Sequence, residues 1–133
     1  MTRYMLDTNI ISDLIRNPQG KAAKRIANVG EDNVCTSIIV AAELRYGCSK
    51  TNSKRLHKAA ENLLGEIEVL SFDVPADVVY GEIRSELEIT GNPIGANDLL
   101  IAAHARAAAA TIVTANVGEF KRIRGLKVEN WLA

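Results

Sequence analysis

The stretch NPIGANDLLIAAHARAAAATIVTANVGEF, residues 92–120, decides the fold class. Its apolar positions recur at helical spacing and then give way to the β-branched segment TIVT, so it predicts a helix followed by a strand. Asp98 shares a face of this helix with Ile101 and Ala105, because these positions lie three and seven residues further on. A carboxylate on an apolar face either stabilises the helix start or takes part in chemistry.

The same alternation of strands and helices runs through the rest of the chain. Strands are predicted at 2–6, 33–37, 66–72 and 111–114, with a last one around 127–130. Helices are predicted at 7–16, 38–48 with Gly47 near the end, 53–65 closed by Gly65, and 75–90 beginning at Pro75. Strands separated by helices, with few hairpin signals, predict an α/β fold with a mostly parallel sheet covered on both faces.

Length and composition predict one domain of residues 1–133. The chain has 133 residues, 47% of them apolar, which suits one core of ordinary size. We expect a cytoplasmic protein without a membrane partner, because there is neither a run of about 20 apolar residues nor the pattern of a signal peptide.

The cysteines and histidines are given no chemical role. Cys35 and Cys48 match no zinc spacing and are too few for a disulfide scaffold, so free thiols are expected. His104 lies about 240° around its helix from Asp98, and His57 lies in a charged amphipathic segment. Both histidines are interpreted as structural or exposed.

Charge is balanced overall but unevenly distributed. Lys and Arg outnumber acids by 10 to 5 in residues 1–58 and by 4 to 1 in residues 121–133, whereas acids outnumber them by 10 to 2 in residues 59–120. Such asymmetry is compatible with a nucleic-acid partner held by the basic segments, and equally with ordinary solvated helices.

Polar side chains follow several of the predicted strands. Asp7 comes directly after the first strand, and Asn116 and Glu119 follow TIVT. Glu43 lies one to two turns into the helix after the second strand, and Asp98 lies in the first turn of its own helix. In open parallel sheets, ligands bind beyond the carboxyl ends of the strands. We therefore expect three of these acids, Asp7, Glu43 and Asp98, to converge at one end of the sheet.

Each acid also has a simpler interpretation. Asp7 could cap a helix beside Thr8 and Asn9, Asp98 could complement the helix dipole for about 0.3–1 kcal/mol, and Glu43 could reach solvent. Together, however, several partly buried carboxylates repel one another unless a cation compensates them. Oxygen ligands suit a hard divalent ion, Mg²⁺ or Mn²⁺.

Five motifs together carry a resemblance to a known family. They are MLDTNIIS (5–12), AAELRYG (41–47), IGANDLLIAAHA (94–105), IVTANVGEF (112–120) and GLKVENW (125–131). In this order the chain resembles the PIN-domain ribonucleases, in particular the VapC-type toxins of bacterial toxin–antitoxin pairs. The resemblance implies a three-layer α/β/α sandwich with a central, mostly parallel sheet of about five strands. It also implies a Mg²⁺- or Mn²⁺-dependent endoribonuclease that acts on RNA, often transfer RNA, and so inhibits translation and growth.

The family's metal and catalytic positions fall on Asp7, Glu43, Asp98 and Asn116. Asn116 is an amide where a carboxylate is frequent, which removes one negative charge from the site. This sequence also departs from the family pattern at two other places. Val40 stands where family members frequently have Thr, and GAN (95–97) stands where they frequently have GPY. None of these changes removes a core acid.

The ligand set predicts roles for these residues in phosphodiester hydrolysis. Asp7 and Asp98 are the predicted metal ligands, with Glu43 as a further ligand or a general base. Asn116 could coordinate through its carbonyl oxygen or orient a water molecule. The residues predicted to support this group are Thr8, Asn9, Ser37 and Glu119.

RNA is expected to be held by its phosphates and shape, because only 5% of the residues are aromatic. The candidate contacts are Arg45, Lys50, Lys54, Arg55, Lys121, Arg122, Arg124 and Lys127. A solvated basic face explains each of them equally well. The expected protein partners are a second copy of the chain and a cognate antitoxin, with operator DNA bound only through the antitoxin complex.

Two other functions fit parts of the pattern. A phosphoacceptor signalling domain also clusters acids around Mg²⁺, and Asp73 could supply its acceptor, but Lys121 stands too far past TIVT for its lysine. A PIN-fold module that only binds RNA or protein is the second alternative, although such proteins usually lack one of the acids retained here.

Overall fold

The computed structural model describes residues 2–133 and contains a five-stranded sheet in which every pair of neighbours is parallel. The strands are β1 (Arg3–Leu6), β2 (Val34–Ser37), β3 (Glu68–Leu70), β4 (Ala110–Val113) and β5 (Val128–Glu129). They lie in the order β3-β2-β1-β4-β5. The predicted α/β fold with a central parallel sheet of about five strands is confirmed.

Seven α-helices connect these strands within the described residues. They are α1 (Thr8–Arg16), α2 (Lys21–Val29), α3 (Ile38–Ser49), α4 (Lys54–Glu66), α5 (Ala76–Ile89), α6 (Ala96–Ala107) and α7 (Val117–Phe120), with a 3₁₀ turn at Glu31–Asn33. The right-handed crossover rule places α1–α4 on one face of the sheet and α5 and α6 on the other. Contacts of α1 with α3 and α4, and of α5 with α6, agree with these two layers. None of the helices in this part of the chain is long and apolar enough to cross a membrane.

The core lies on both faces of the central strands. All four residues of β2 and all four of β4 are buried, as expected for a sheet covered on both sides. Trp131, which follows the edge strand β5, is 2% exposed and packs on Tyr4 of β1 with ring centroids 5.3 Å apart.

Four elements differ from the sequence-based prediction. α2 was not predicted although Ala22, Ala23, Ile26 and Val29 recur at helical spacing and pack against the core. α7 was not predicted because four residues are too few to show an apolar period. Gly65 does not end its helix, which continues to Glu66. As a consequence, the strand predicted at 66–72 shrinks to Glu68–Leu70.

The strand order positions the acids. The chain runs from β1 to β2 and β3 in one direction and then crosses to β4 on the other side of β1. The crevice between the carboxyl ends of β1 and β4 is therefore the switch point at which parallel sheets bind ligands. The two strands are joined there by a bond of 2.9 Å from the Asp7 backbone N–H to the Val113 carbonyl.

Candidate active site

Asp7 occupies the switch point and is held on both carboxylate oxygens. It is 4% exposed and caps α1, with Oδ1 accepting the Thr8 N–H at 2.8 Å. Oδ2 accepts the hydroxyl of Thr114 at 2.8 Å and the side-chain amide of Asn9 at 3.4 Å. Asn9 in turn accepts the Ala115 N–H at 3.0 Å, which ties α1 to the segment after β4. Asp7 thus serves as a helix cap and also faces the crevice.

The environment of Asp7 opposes its negative charge. Burial raises the pKa of the Asp7 carboxyl, and the charge of Glu43 acts in the same direction. The hydrogen bonds from Thr114, Thr8 and Asn9 only partly offset this, because the net direction remains upward.

Glu43 is oriented from two different helices. The Thr8 hydroxyl donates to Oε1 at 2.6 Å, and the Asn97 amide donates to Oε2 at 3.1 Å. Thr8 begins α1 and Asn97 lies in the first turn of α6, so Glu43 on α3 links the two helices that carry Asp7 and Asp98.

Asp98 lies on the other side of the crevice with two residues from the segment after β4. The side-chain nitrogen of Asn116 donates to Asp98 Oδ2 at 3.1 Å and to Glu119 Oε2 at 3.2 Å. The backbone N–H of Asn116 donates to Thr114 at 2.9 Å. A carbonyl oxygen of Asn116 would face the carboxylates only after the amide turned by half a rotation.

The pKa values of Asp98 and Glu119 shift in opposite directions. Burial raises the pKa of Asp98 to about 7, and a side-chain hydrogen bond with Glu119 adds to the shift. The same hydrogen bond lowers the pKa of Glu119. The charges of Asp7 and Glu43 also raise the pKa of Asp98, so these carboxylates are close enough to repel one another.

The donor set fits a hard divalent cation. The acids supply oxygen ligands, and none of the ion pairs found within residues 2–133 involves Asp7, Glu43 or Asp98. Their mutual repulsion is the charge pattern that a cation relieves. As placed, no three His, Cys, Asp or Glu side chains of the described residues are grouped closely enough to hold a metal ion. An ion held by three of these carboxylates would require at least one of them to rotate towards the others.

Ser37 is separated from this hydrogen-bond network. Its hydroxyl caps α3 by accepting the Ile39 N–H at 3.0 Å, and it contacts Nδ1 of His104 at 2.7 Å. His104 is 4% exposed and packs against Phe72, so the structural interpretation of this histidine agrees with its burial. Burial lowers the pKa of His104. Ser37 links α3 to α6 behind the acids.

The basic candidates are spread over the surface. Arg122 lies at the crevice, where it donates to the Pro93 carbonyl at 3.1 Å and its charge helps to lower the pKa of Glu119. Arg45 pairs with Glu61 across α3 and α4. Lys127 lines a cavity at the opposite edge of the sheet. The remaining candidates lie at Lys50, the C-cap of α3, at Lys54 and Arg55 in the first turn of α4, and at Lys121 and Arg124 around the end of α7.

Sequence reasoning missed two residues that hold the acids in place. Thr114, 0% exposed, bonds Asp7, and Asn97 bonds Glu43. A polar residue at the carboxyl end of a buried strand was an available signal for Thr114. Asn97 had no such signal, because its contact depends on how α6 is placed against α3.

The sequence and the fold of this chain match those of known proteins. The family model described as PIN domain matches residues 4–126. The chain is 43% identical to Ribonuclease VapC2 of Rickettsia felis over 96% of this chain and 97% of that one. It is 38% identical to the tRNA(fMet)-specific endonuclease VapC of Shigella flexneri over 98% and 99%. It superimposes with a TM-score of 0.91 on a chain of the crystal structure of VapBC2 from Rickettsia felis bound to a DNA fragment from their promoter, at 42% identity over 98% and 99%.

Proposed function

This chain belongs to the VapC group of the PIN-domain family, and on that premise we propose that it is a Mg²⁺- or Mn²⁺-dependent endoribonuclease toxin. The observation that carries the proposal is the convergence of Asp7, Glu43 and Asp98 at the switch point of the sheet, without a basic partner among the described residues. Repulsion among these carboxylates lowers the stability of the folded protein. A divalent cation that binds them removes the repulsion, and this relief contributes to the affinity for the cation.

The chain's own residues would divide the work in hydrolysis. Asp7 and Asp98 would hold the ion, with Asn116 able to contribute after its amide turns. A divalent ion, when bound, supplies charge neutralisation for the phosphoryl oxygens and lowers the pKa of water. Glu43 would accept a proton from the attacking water, because Thr8 and Asn97 fix the direction of its carboxylate.

Three residues would keep this geometry rigid. Thr114 and Asn9 orient Asp7, and each also bonds the segment after β4. Glu119 would compete with the ion for Asp98 through the hydrogen bond between them, and Asp98 would release its proton when the ion binds.

The proposed substrate is transfer RNA, and the proposed partners follow from the relatives. The Shigella flexneri relative is named for transfer RNA, and the Rickettsia felis chain was crystallised with its partner on promoter DNA. We propose that this protein is cytoplasmic, forms a homodimer, is neutralised by a cognate antitoxin, and meets operator DNA only through that antitoxin.

RNA cleavage with matched variants tests the function. Purified protein should cleave a transfer RNA mixture with Mg²⁺ or Mn²⁺ and not with EDTA. Asp7→Asn and Asp98→Asn should lower the rate by at least about 100-fold. Asp77→Asn, an exposed acid in the first turn of α5, is the control and should cleave like the parent. Full activity in EDTA, or full activity of the two site variants, would refute the mechanism.

The phosphoacceptor alternative receives little support from the topology. Asp73 follows the edge strand β3, which is separated from β1 by β2, and its carboxylate accepts the neighbouring Val74 N–H at 2.8 Å. Acetyl phosphate should therefore leave the protein unlabelled. A labelled Asp73 would revive that function.

A further inference from the structure

An exposed aromatic ring stands one helical turn beyond Glu43. Tyr46 is 65% exposed, whereas α3 packs into the core through Val40, Leu44 and Cys48. Residues three apart are neighbours on a helix surface, and they are separated by about 4.5 Å along its axis. Tyr46 therefore contributes little to the core and lies beside the acidic crevice.

A positive charge accompanies this ring. Nζ of Lys50 lies 4.3 Å from the centroid of Tyr46, within the range of a cation–π contact. Proteins bind single-stranded nucleic acid by combining an aromatic surface, on which a base stacks, with cations that follow the phosphates. Tyr46 and Lys50 supply both components on one turn of helix.

Position 47, which lies between Glu43 and Lys50 along one stripe of α3, carries no side chain. Gly47 lies inside α3, where glycine costs about 1 kcal/mol relative to alanine. A Cβ at Gly47 would meet nothing within 4 Å, so close packing does not require glycine there. Positions 43, 47 and 50 form one stripe, and the glycine leaves that stripe open next to the Tyr46 ring.

A cleft connects this stripe to the acids. Its volume is about 300 Å³, at the lower end of the range for small-molecule pockets. It is lined by Thr8 and Arg16 of α1, Glu43 and Gly47 of α3, and Leu56 of α4, among others. Arg16 adds a second cation at the wall opposite α3. The cleft thus runs past Glu43 and Gly47 of α3, and Tyr46 and Lys50 lie on the same helix next to these residues.

We propose that Tyr46 and Lys50 form a subsite for one unpaired base of RNA, next to the bond that is cleaved at the acidic crevice. The base stacks on the Tyr46 ring, Lys50 and Arg16 neutralise the neighbouring phosphates, and the bare surface at Gly47 admits the ribose. This inference rests on the proposed function, because it gives the same site its preference for single-stranded RNA. It accommodates one stacked base, which is consistent with the low aromatic content of the chain.

Binding of a fluorescent RNA tests the subsite directly. The probe is a single-stranded oligonucleotide of about eight nucleotides with one 2-aminopurine, titrated in EDTA so that cleavage does not interfere. Binding to the parent should quench 2-aminopurine, because stacking quenches this base. Tyr46→Leu should abolish the quench and weaken binding by about 5- to 100-fold, whereas Tyr46→Phe should retain both. Ile89→Ala, which changes an 81% exposed apolar residue on α5, is the matched control and should behave like the parent.

The basic component has its own readout. Lys50→Gln should reduce the slope of log affinity against log salt by about 0.7, the value for one phosphate contact with a single strand. An unchanged slope would remove Lys50 from the subsite.

The outcomes separate this inference from the proposed function. If Tyr46→Leu binds the probe like the parent and with the same quench, the subsite is refuted even where cleavage is normal. The same holds if that variant loses only its affinity for the antitoxin, since the ring would then serve a protein partner. If the quench depends on Tyr46 but the parent does not cleave RNA with Mg²⁺, the subsite stands and the proposed function fails.

Discussion

Replacing Asn116 by Asp should destabilise the metal-free protein. The amide nitrogen now donates to Asp98 at 3.1 Å and to Glu119 at 3.2 Å, and a carboxylate would lose both bonds and place a third acid beside them. Two unit charges at this distance repel by about 1.3 kcal/mol even at the dielectric constant of water. Because the pKa of Asp98 is raised and Asn116 is exposed, partial protonation and screening leave a net cost of about 1–2 kcal/mol. The melting temperature in EDTA should fall by about 3–10 °C.

Saturating Mg²⁺ should raise the melting temperature of the Asp variant more than that of the parent. The Asp variant offers one more carboxylate to the ion, and it begins from a more repulsive site, so its affinity for Mg²⁺ should exceed that of the parent. A ligand that binds only the native state stabilises it by RT ln(1 + L/Kd), where L is the free ligand concentration, so at one Mg²⁺ concentration the tighter-binding protein gains more. The rise in melting temperature between EDTA and excess Mg²⁺ should therefore be larger for Asn116→Asp than for the parent.

The assay is thermal unfolding followed by circular dichroism, with both proteins measured in EDTA and in Mg²⁺. Asn62→Asp, at an exposed position in the middle of α4, adds the same charge away from the crevice and serves as the control. It should show the parental response to Mg²⁺. If the response of Asn116→Asp is no larger than that of the parent, Asn116 does not face the metal and leaves the site.

Two further predictions follow from the hydrogen bonds and pKa values of the site. Thr114→Val removes a buried donor to Asp7 and should lower cleavage by about tenfold or more and stability by about 1–3 kcal/mol. Thr111→Val, inside the preceding strand β4, should spare cleavage, and equal losses of cleavage in the two variants would refute the role of Thr114. The pKa of Asp98, raised to about 7, means that between about pH 5 and 7 the folded metal-free protein holds a proton that the unfolded chain has lost, so this group's contribution to stability falls as pH rises. The melting temperature of the parent minus that of Asp98→Asn should therefore decrease from about pH 5 to pH 8 in EDTA; a flat difference would contradict the shift.

The sheet could be predicted because burial on both faces leaves a strong pattern. Strands β1, β2 and β4 are short apolar runs bounded by polar residues, and their predicted bounds agree with the structure to within one or two residues. α2 was missed although Ala22, Ala23, Ile26 and Val29 recur at helical spacing and pack against the core. The four residues of α7 are too few to show a period, so hydrophobic spacing alone does not identify such a short helix.

Convergence of the acids could be predicted from topology, but their partners could not. Asp7 and Asp98 follow from the rule that ligands gather at the switch point of a parallel sheet. The contact from Asn97 to Glu43 joins residues 54 positions apart on two helices, and its existence depends on the packing of α6 against α3. The catalytic and metal-binding roles of these residues remain predictions that the experiments above test.

The short helix α7 changes the electrostatics that the sequence suggested. From the sequence, Asp98 was expected to be opposed chiefly by Asp7 and Glu43. In the structure, α7 turns Glu119 back towards the crevice, where it accepts a hydrogen bond from the same Asn116 amide and adds to the rise in the pKa of Asp98. Because that pKa is raised to about 7, a proton on Asp98 removes one negative charge from the cluster at neutral pH and below. If the proposed divalent ion binds here, it should displace the proton of Asp98, and its affinity should rise with pH across the range in which Asp98 titrates.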